Sequence, residues 1–141
     1  MPFVSVTAEA GQLSDDAKQT LISRLSDAVI RAEGASPADA GPQAMTWGHI
    51  HELPRGNLFV YGEVKSQTPL HIAFTTPEGL LTEASRAQLC AEVNDAVNDI
   101  LGEIEGGMNH WVIITEVPSG KWGAMGQVFQ TEAIKGILNV A

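Results

Sequence analysis

Pro2 is the residue of this chain with the most distinctive potential chemistry. It directly follows Met1, so removal of Met1 would convert its nitrogen from an amide into a free secondary amine. An α-amino group titrates at about 7.7 to 8.0, and burial disfavours its charged form. Such an amine, neutral near pH 7, suits a general base. The alternative is that Pro2 only opens an edge strand, where a residue without an N–H is tolerated.

Three ring side chains alternate along a short segment of the first half. Trp47, His49 and His51 are separated by single residues, so in a strand all three project from one face. The imidazoles could donate hydrogen bonds to a carboxylate or carbonyl oxygen, with Trp47 as a wall. The alternative is a solvent-facing polar strand. Because no His or Cys spacing supplies a third ligand, we expect no metal, and nothing in the sequence calls for a cofactor.

A possible carboxylate-binding side chain follows this segment. Arg55 lies in Pro54-Arg55-Gly56-Asn57, a sequence typical of a turn. Its planar guanidinium suits carboxylates better than an ammonium does. It could equally be an ordinary exposed turn residue.

The chain contains an internal repeat. When the sequence is compared with itself at a shift of 68 residues, helix-forming residues of the first half match identical residues of the second half. At a shift of 64 residues, a block that begins at Trp47 matches a block that begins at Trp111. The later pairs include Trp47 with Trp111 and Glu52 with Glu116. We therefore predict one domain, 1–141, made of a first β-α-β unit (1–65), a second unit (69–129) and a C-terminal docking segment (130–141) that packs on this chain or on a neighbouring subunit.

Local patterns predict the elements of each unit. Ser14 and Thr82 are good helix N-caps, and Gly34 and Gly102 are typical helix stops. Strands are expected at 3–7, 45–53, 58–64, 70–75 and 111–117, and a loop at 35–42. The predicted fold class is α+β, with two tandem β-α-β units forming one four-stranded mixed sheet and two helices on one of its faces. The other face is left for another sheet or subunit.

Composition narrows the functional classes. The formal charge is −9, with 8 basic and 17 acidic residues, and no basic run could follow a phosphate backbone, so nucleic acid is not an expected partner. No apolar stretch reaches the roughly 18 residues of a membrane span, and no signal peptide pattern opens the chain, so we expect no membrane partner and a cytoplasmic location. Cys90, the single cysteine, is expected to be a small packing residue.

The sequence resembles a known superfamily at several points. Met1-Pro2 leads straight into a strand, a capped helix follows from Ser14, and the segment 111–117 precedes the glycine-rich turn 120–126. These features are similar to those of the tautomerase superfamily, with 4-oxalocrotonate tautomerase as the nearest short-chain pattern. A fused double unit resembles the cis-3-chloroacrylic acid dehalogenase and malonate semialdehyde decarboxylase groups.

The resemblance implies an amino-terminal proline as the catalytic group, hence Pro2, and a trimer of fused chains. It places Gln12 and Trp47 where short members carry arginines that bind a dicarboxylate, and Leu80 and Leu81 at the corresponding place in the second unit. It places Trp122 where an aromatic side chain lines the apolar part of the site. Glu52 and Glu116, which recur in both units, are interpreted as structural.

This sequence differs from the family pattern at several residues, and these differences limit which family activities we expect it to have. Dehalogenase-like members add a histidine in helix one, arginines ahead of helix two, and a tyrosine and a glutamate that activate water. Here the matching or neighbouring places hold other residues, for example Val29 and Ala124. The expected function is a tautomerase in which Pro2 is the general base for proton transfer in a small 2-oxo acid, with Trp47, His49, His51, Arg55, Trp122 and Gln12 as substrate-binding candidates. One alternative is a hydratase, dehalogenase or decarboxylase with Pro2 as general acid. Another is a catalytically silent oligomeric binding protein.

Overall fold

The computed structural model describes all residues, 1–141. Ten elements follow one another along the chain: β1 (Phe3–Glu9), α1 (Asp15–Ala32), α2 (Ala40–Ala44), β2 (Trp47–Leu53), β3 (Leu70–Pro77), α3 (Glu83–Ile100), β4 (His110–Val117), β5 (Trp122–Ala124), β6 (Gln127–Phe129) and α4 (Thr131–Leu138).

One mixed sheet organises the molecule, as the sequence predicted. Its strand order is β2-β1-β3-β4. Strands β1 and β2 are parallel, β3 and β4 are parallel, and the two units meet through the antiparallel pair β1 and β3. This arrangement relates the two β-α-β units by an approximate two-fold axis between the central strands. The start of β1 therefore lies beside the end of β3.

The two long helices cover one face of this sheet. Alternate residues of the central strands, such as Val4, Val6, Ile72 and Phe74, are fully buried in a single core with the apolar faces of α1 and α3. The intervening side chains face the opposite side, where Trp47, Trp111 and Ile113 are exposed. We call this uncovered side the open face. None of the helices is long and apolar enough to cross a membrane.

The helix ends form where the sequence predicts them. The Ser14 side chain accepts a hydrogen bond from the Ala17 N–H at 3.1 Å. Thr82 and Ser85 form a reciprocal capping box, which satisfies two otherwise unpaired backbone donors.

The two recurring glutamates make equivalent ion pairs. Glu52 binds Lys18 of α1, and Glu116 binds Arg86 of α3 at 3.5 Å. Each pair ties a unit's second strand to its own helix. This equivalence supports the structural interpretation of both glutamates.

Four local predictions were wrong or incomplete. The segment 58–64 is not a strand and contains only an isolated bridge between Val60 and Glu63. The helix α2 begins inside the expected loop, and β5 pairs with β6 in a hairpin that was not predicted. Cys90 is exposed rather than packed. The C-terminal segment forms α4 and docks on its own chain, with Ile134 and Leu138 buried against Leu80.

Candidate active site at the amino terminus

Pro2 is buried at the start of β1. Its carbonyl oxygen accepts a hydrogen bond from the Trp47 N–H at 3.2 Å, which fixes the chain entry beside the start of β2. Since proline has no N–H to leave unpaired, burial at this point costs little. Met1 precedes it, and the Met1 ammonium nitrogen lies 2.9 Å from Glu33 Oε2.

Glu33 is a buried carboxylate at the end of α1. Only 2% of the residue is exposed, and its other carboxylate oxygen accepts a hydrogen bond from the Thr76 hydroxyl at the end of β3. Burial lowers the pKa of the Met1 amino group from its ordinary value, and the Glu33 carboxylate partly opposes that effect. The amino terminus is thus a desolvated amine beside one negative charge.

An apolar cluster, which we call the terminal cluster, packs against Met1. Its buried members are Leu80, Ile134 and Leu138, and five partly buried residues pack against them: Met1, Met45, Trp122, Phe129 and Val140. These residues come from the loop before α3, the end of α2, the β5–β6 hairpin and α4. Because Met1 is bonded to the Pro2 nitrogen, removal of Met1 would open an apolar compartment at that nitrogen.

The side chains predicted to alternate on β2 do share the open face. The His49 ring nitrogen Nε2 lies 2.9 Å from Ser5 Oγ, and its ring contacts the Phe3 ring edge-on with centroids 5.0 Å apart. Trp47 is 69% exposed and adjoins Pro2. At about 3.3 Å per residue, His49 and His51 lie roughly 7 and 13 Å further along the strand from Trp47. Only Trp47 is therefore next to Pro2 within one chain.

Gln12 and Arg55 lie at the opposite end of β1 from Pro2. Both line a small polar cavity of about 330 Å³ with Glu9 and Thr68. The Gln12 amide is hydrogen-bonded to the Thr68 backbone and side chain, so it fastens the loop after β1 to the joint between units. Within one chain, neither Gln12 nor Arg55 lies near the amino terminus, where Trp47 and Trp122 are found.

A larger cavity lies at the equivalent place in the second unit. It holds about 710 Å³ and is lined by apolar residues together with Pro69, His71 and Trp111. The Pro69 nitrogen is an internal amide without basicity, so this cavity lacks the group that could do the chemistry. The corresponding place in the first unit is filled by Met1, which packs against the terminal cluster.

Sequence reasoning missed several residues of the terminal arrangement. A glutamate in the last turn of a helix opposes the helix dipole, and this was the signal that could have singled out Glu33. Phe129 and Met45 reach the site from distant segments and carried no local signal, whereas Ile134 belongs to the predicted docking segment. No group of three or more His, Cys, Asp or Glu side chains is placed to hold a metal ion.

Comparisons with known proteins agree with this architecture. Residues 2–68 match the family model described as tautomerase enzyme. Among curated proteins no significant sequence match was found. The structure of Pt0534 inactivated by 2-oxo-3-pentynoate is 27% identical, with 94% of this chain and 98% of that chain covered and a TM-score of 0.74.

Two further solved structures have the same fold at lower identity. A fused 4-OT solved as an asymmetric trimer is 21% identical over 94% of this chain and 98% of its own, with a TM-score of 0.72. N1, a member of the cis-3-chloroacrylic acid dehalogenase family, is 18% identical over 90% of this chain and 82% of its own, also at 0.72. The first β-α-β unit thus matches the tautomerase family model, and the whole chain has the fold of these solved structures.

Proposed function

We propose that this chain is a proton-transfer enzyme in which Pro2, freed by removal of Met1, is the general base toward a small 2-oxo acid. The observation that carries the proposal is the position of the amino terminus, which is desolvated at the edge of an apolar cluster. Burial that lowers the pKa of the Met1 amine would act in the same direction on a Pro2 amine at this place. The base would then be neutral at physiological pH.

The reaction is a double-bond shift with no net consumption of protons. The Pro2 nitrogen takes a proton from a carbon next to the carbonyl, so that a C–H bond breaks, an N–H bond forms and the electron pair moves onto the carbonyl oxygen. The prolinium then returns the proton to another carbon of the same unsaturated substrate. In ketonisation of an enol such as phenylenolpyruvate, Pro2 instead takes the O–H proton, the C=O bond forms, and the prolinium returns the proton to the neighbouring carbon of the former C=C bond. No further reactant is required.

The surroundings of Pro2 favour a substrate with an apolar body. Trp122 and Phe129 pack on the terminal cluster. Leu80 of the second unit is buried at a place where the family resemblance implies an arginine. A dicarboxylate would find no fixed cation there in a chain whose net charge is already −9. A mono-oxo acid with an aromatic or aliphatic group fits this compartment better.

The assembly we propose is a homotrimer. The open face carries Trp47, Trp111 and Ile113 in exposed positions, and an apolar sheet face of this kind needs a cover. The fused 4-OT relatives are described as trimers. In such an assembly His49, His51, Gln12 and Arg55 would contribute to binding only across a subunit boundary.

Three measurements test the catalytic role of Pro2. Intact mass should show that Met1 is absent, and the purified protein should ketonise phenylenolpyruvate. A variant with one residue inserted between Met1 and Pro2 converts the amine into an amide and should lose all activity. Pro69→Ala, which alters the equivalent proline of the second unit, is the matched control and should keep the wild-type rate.

A chemical probe gives an independent readout. Pt0534 was inactivated by 2-oxo-3-pentynoate, a ketone conjugated to an alkyne and therefore open to attack by an amine. We expect the same compound to add its full mass to the N-terminal peptide of this protein. Full activity of the extended variant, or labelling elsewhere only, would contradict the proposal.

Glu33 favours a second candidate function. A carboxylate in contact with the amine stabilises the prolinium, which would suit a general acid in hydration or decarboxylation of an unsaturated or 3-oxo acid. The pH profile separates the two: activity that depends on a neutral Pro2 rises with pH through its pKa, and activity that depends on prolinium falls. Absence of both activities would instead favour the silent binding protein.

A further inference from the structure

Glu33 lies at a position where a negative charge is energetically unfavourable. It is almost fully buried, and as the C-cap of α1 it lies at the negative end of a helix dipole, where a carboxylate is disfavoured. A buried carboxylate needs a cation or several donors to compensate for its lost hydration. Thr76 supplies one donor, and the amino-terminal nitrogen supplies the only cation.

Other charged groups near this end of the molecule are paired elsewhere or make no ion pair. Arg31 of α1 binds Glu92, and Lys135 of α4 binds Glu132. The Glu78 carboxylate after β3 accepts a hydrogen bond from the Ser119 N–H. Asp39 before α2 and Lys121 before β5 form no ion pair. Glu33 is therefore the one charge in contact with the amine.

We propose that Glu33, held by Thr76, is the positioning residue of the Pro2 amine: it accepts the Pro2 N–H and so directs the nitrogen lone pair toward the terminal cluster. This inference rests on the proposed function, because it concerns the amine that removal of Met1 would expose. Successive Cα atoms are about 3.8 Å apart, so the Pro2 nitrogen lies within about one residue step of the nitrogen that Glu33 now binds.

The chemistry of a secondary amine makes this contact decisive. Neutral proline at a chain terminus has one N–H and one lone pair. If the N–H is donated to Glu33, the lone pair has to point away from that carboxylate. When Pro2 takes a proton from the substrate, the second N–H forms on that side while the first stays on the carboxylate, and Glu33 itself gains no proton.

The same contact sets the pH at which the amine works. The carboxylate stabilises prolinium against the desolvation of the site, so it keeps Pro2 able to return its proton. Loss of the negative charge lowers the pH at which prolinium gives up its proton. An opposite charge in contact shifts such a titration by roughly one to three pH units.

The experiment uses protein whose intact mass shows Pro2 as the first residue. Glu33→Gln keeps an acceptor and a donor to Thr76 but removes the charge. We expect the acidic limb of the kcat/KM profile, and the Pro2 titration followed by ¹⁵N NMR of proline-labelled protein, both to move at least one pH unit lower. Glu78→Gln is the matched control, since it removes a nearby carboxylate without contact to the amine, and neither curve should move.

A measurement on the unaltered protein keeps the test independent of variant folding. The ¹³C resonance of the Glu33 carboxylate should change at the same pH as the Pro2 nitrogen, because the two groups share a hydrogen bond. The inference would be overturned if the Glu33 carboxylate and the Pro2 nitrogen changed at different pH values, or if Glu33→Gln did not shift the pH of the Pro2 titration. Either result would leave the proposed function standing. Coupled titrations in a protein with no proton-transfer activity would uphold the inference and reject the proposed function.

Discussion

Tyr61 and Met125 occupy the same place in the two units. Their φ angles are 52° and 51°, and each is followed by a glycine with positive φ, which is the backbone of a tight hairpin turn. The second unit completes the hairpin as β5 and β6, whereas the first retains only the bridge between Val60 and Glu63. Both tip side chains are almost fully exposed, at 100% and 89%, so each tip presents one large side chain to solvent.

The open face should hold the assembly together. Ile113 on that face and Ile137 on α4 are exposed to similar extents, 46% and 44%. We expect Ile113→Glu to dissociate the trimer, because three charges would be buried against one another or against a neighbouring sheet. Ile137→Glu should leave the mass unchanged. Light scattering at micromolar concentration measures the molar mass of both variants. A monomeric wild-type protein would refute the proposed trimer.

Much of the sheet was predictable because its signals are local. Val4, Val6 and Ala8 alternate with more polar residues along β1, and Ser14 and Thr82 mark helix starts by their own hydrogen-bonding chemistry. The repeat supplied the pairing of the units. The segment 58–64 failed as a strand since a β-rich run needs a partner, and here it only bends back on itself at Tyr61.

The surroundings of Pro2 were less predictable because they depend on long-range packing. Glu33 reaches the amino terminus across 32 residues, and Leu138 across more than a hundred. Conversely, Gln12 was grouped with Pro2 by family position and Arg55 by its side-chain chemistry. Because they follow the ends of the parallel strands β1 and β2, both lie at the end of β1 farthest from Pro2. A short segment of sequence reveals neither the approach of Glu33 and Leu138 to the amino terminus nor the separation of Gln12 and Arg55 from Pro2.

Gly48 should be essential for the close approach of β1 and β2. A Cβ at this position would lie 3.0 Å from the Val4 carbonyl oxygen and 3.3 Å from Val4 Cβ, both tighter than ordinary contact. We expect Gly48→Ala to lower the free energy of unfolding by about 1 to 3 kcal/mol, as overpacking typically does. Gly123→Ala, with 3.6 Å to the Gln127 oxygen, is the control. Urea denaturation showing equal stability of the two variants would contradict this account.

His110 should make the fold less stable in mild acid. Burial lowers the pKa of its imidazole below the ordinary 6.5, so the folded protein binds fewer protons than the unfolded chain between those two values. Stability is then unaffected above pH 6.5 and falls as pH decreases toward the folded pKa. Thermal unfolding at pH 8 and pH 5.5 should show this loss, and His110→Gln should reduce it. His71→Gln, at an exposed position, should leave the pH dependence as it is.

Leu80 should govern the choice between mono- and dicarboxylate substrates, because it lies in the terminal cluster at a place where the resemblance to the family implies an arginine. We expect the wild-type kcat/KM to favour phenylenolpyruvate over 2-hydroxymuconate. Leu80→Arg should raise the ratio for 2-hydroxymuconate roughly ten- to a hundredfold, since one charged hydrogen bond contributes about 1.5 to 3 kcal/mol. Gln12→Arg places the same charge at the other end of β1, where it could act on the substrate only from a neighbouring subunit, and should change the ratio less than Leu80→Arg does. Melting temperatures should confirm that both variants fold. A larger response to Gln12→Arg than to Leu80→Arg would mean that the substrate binds at the Pro69 end of the sheet rather than at Pro2.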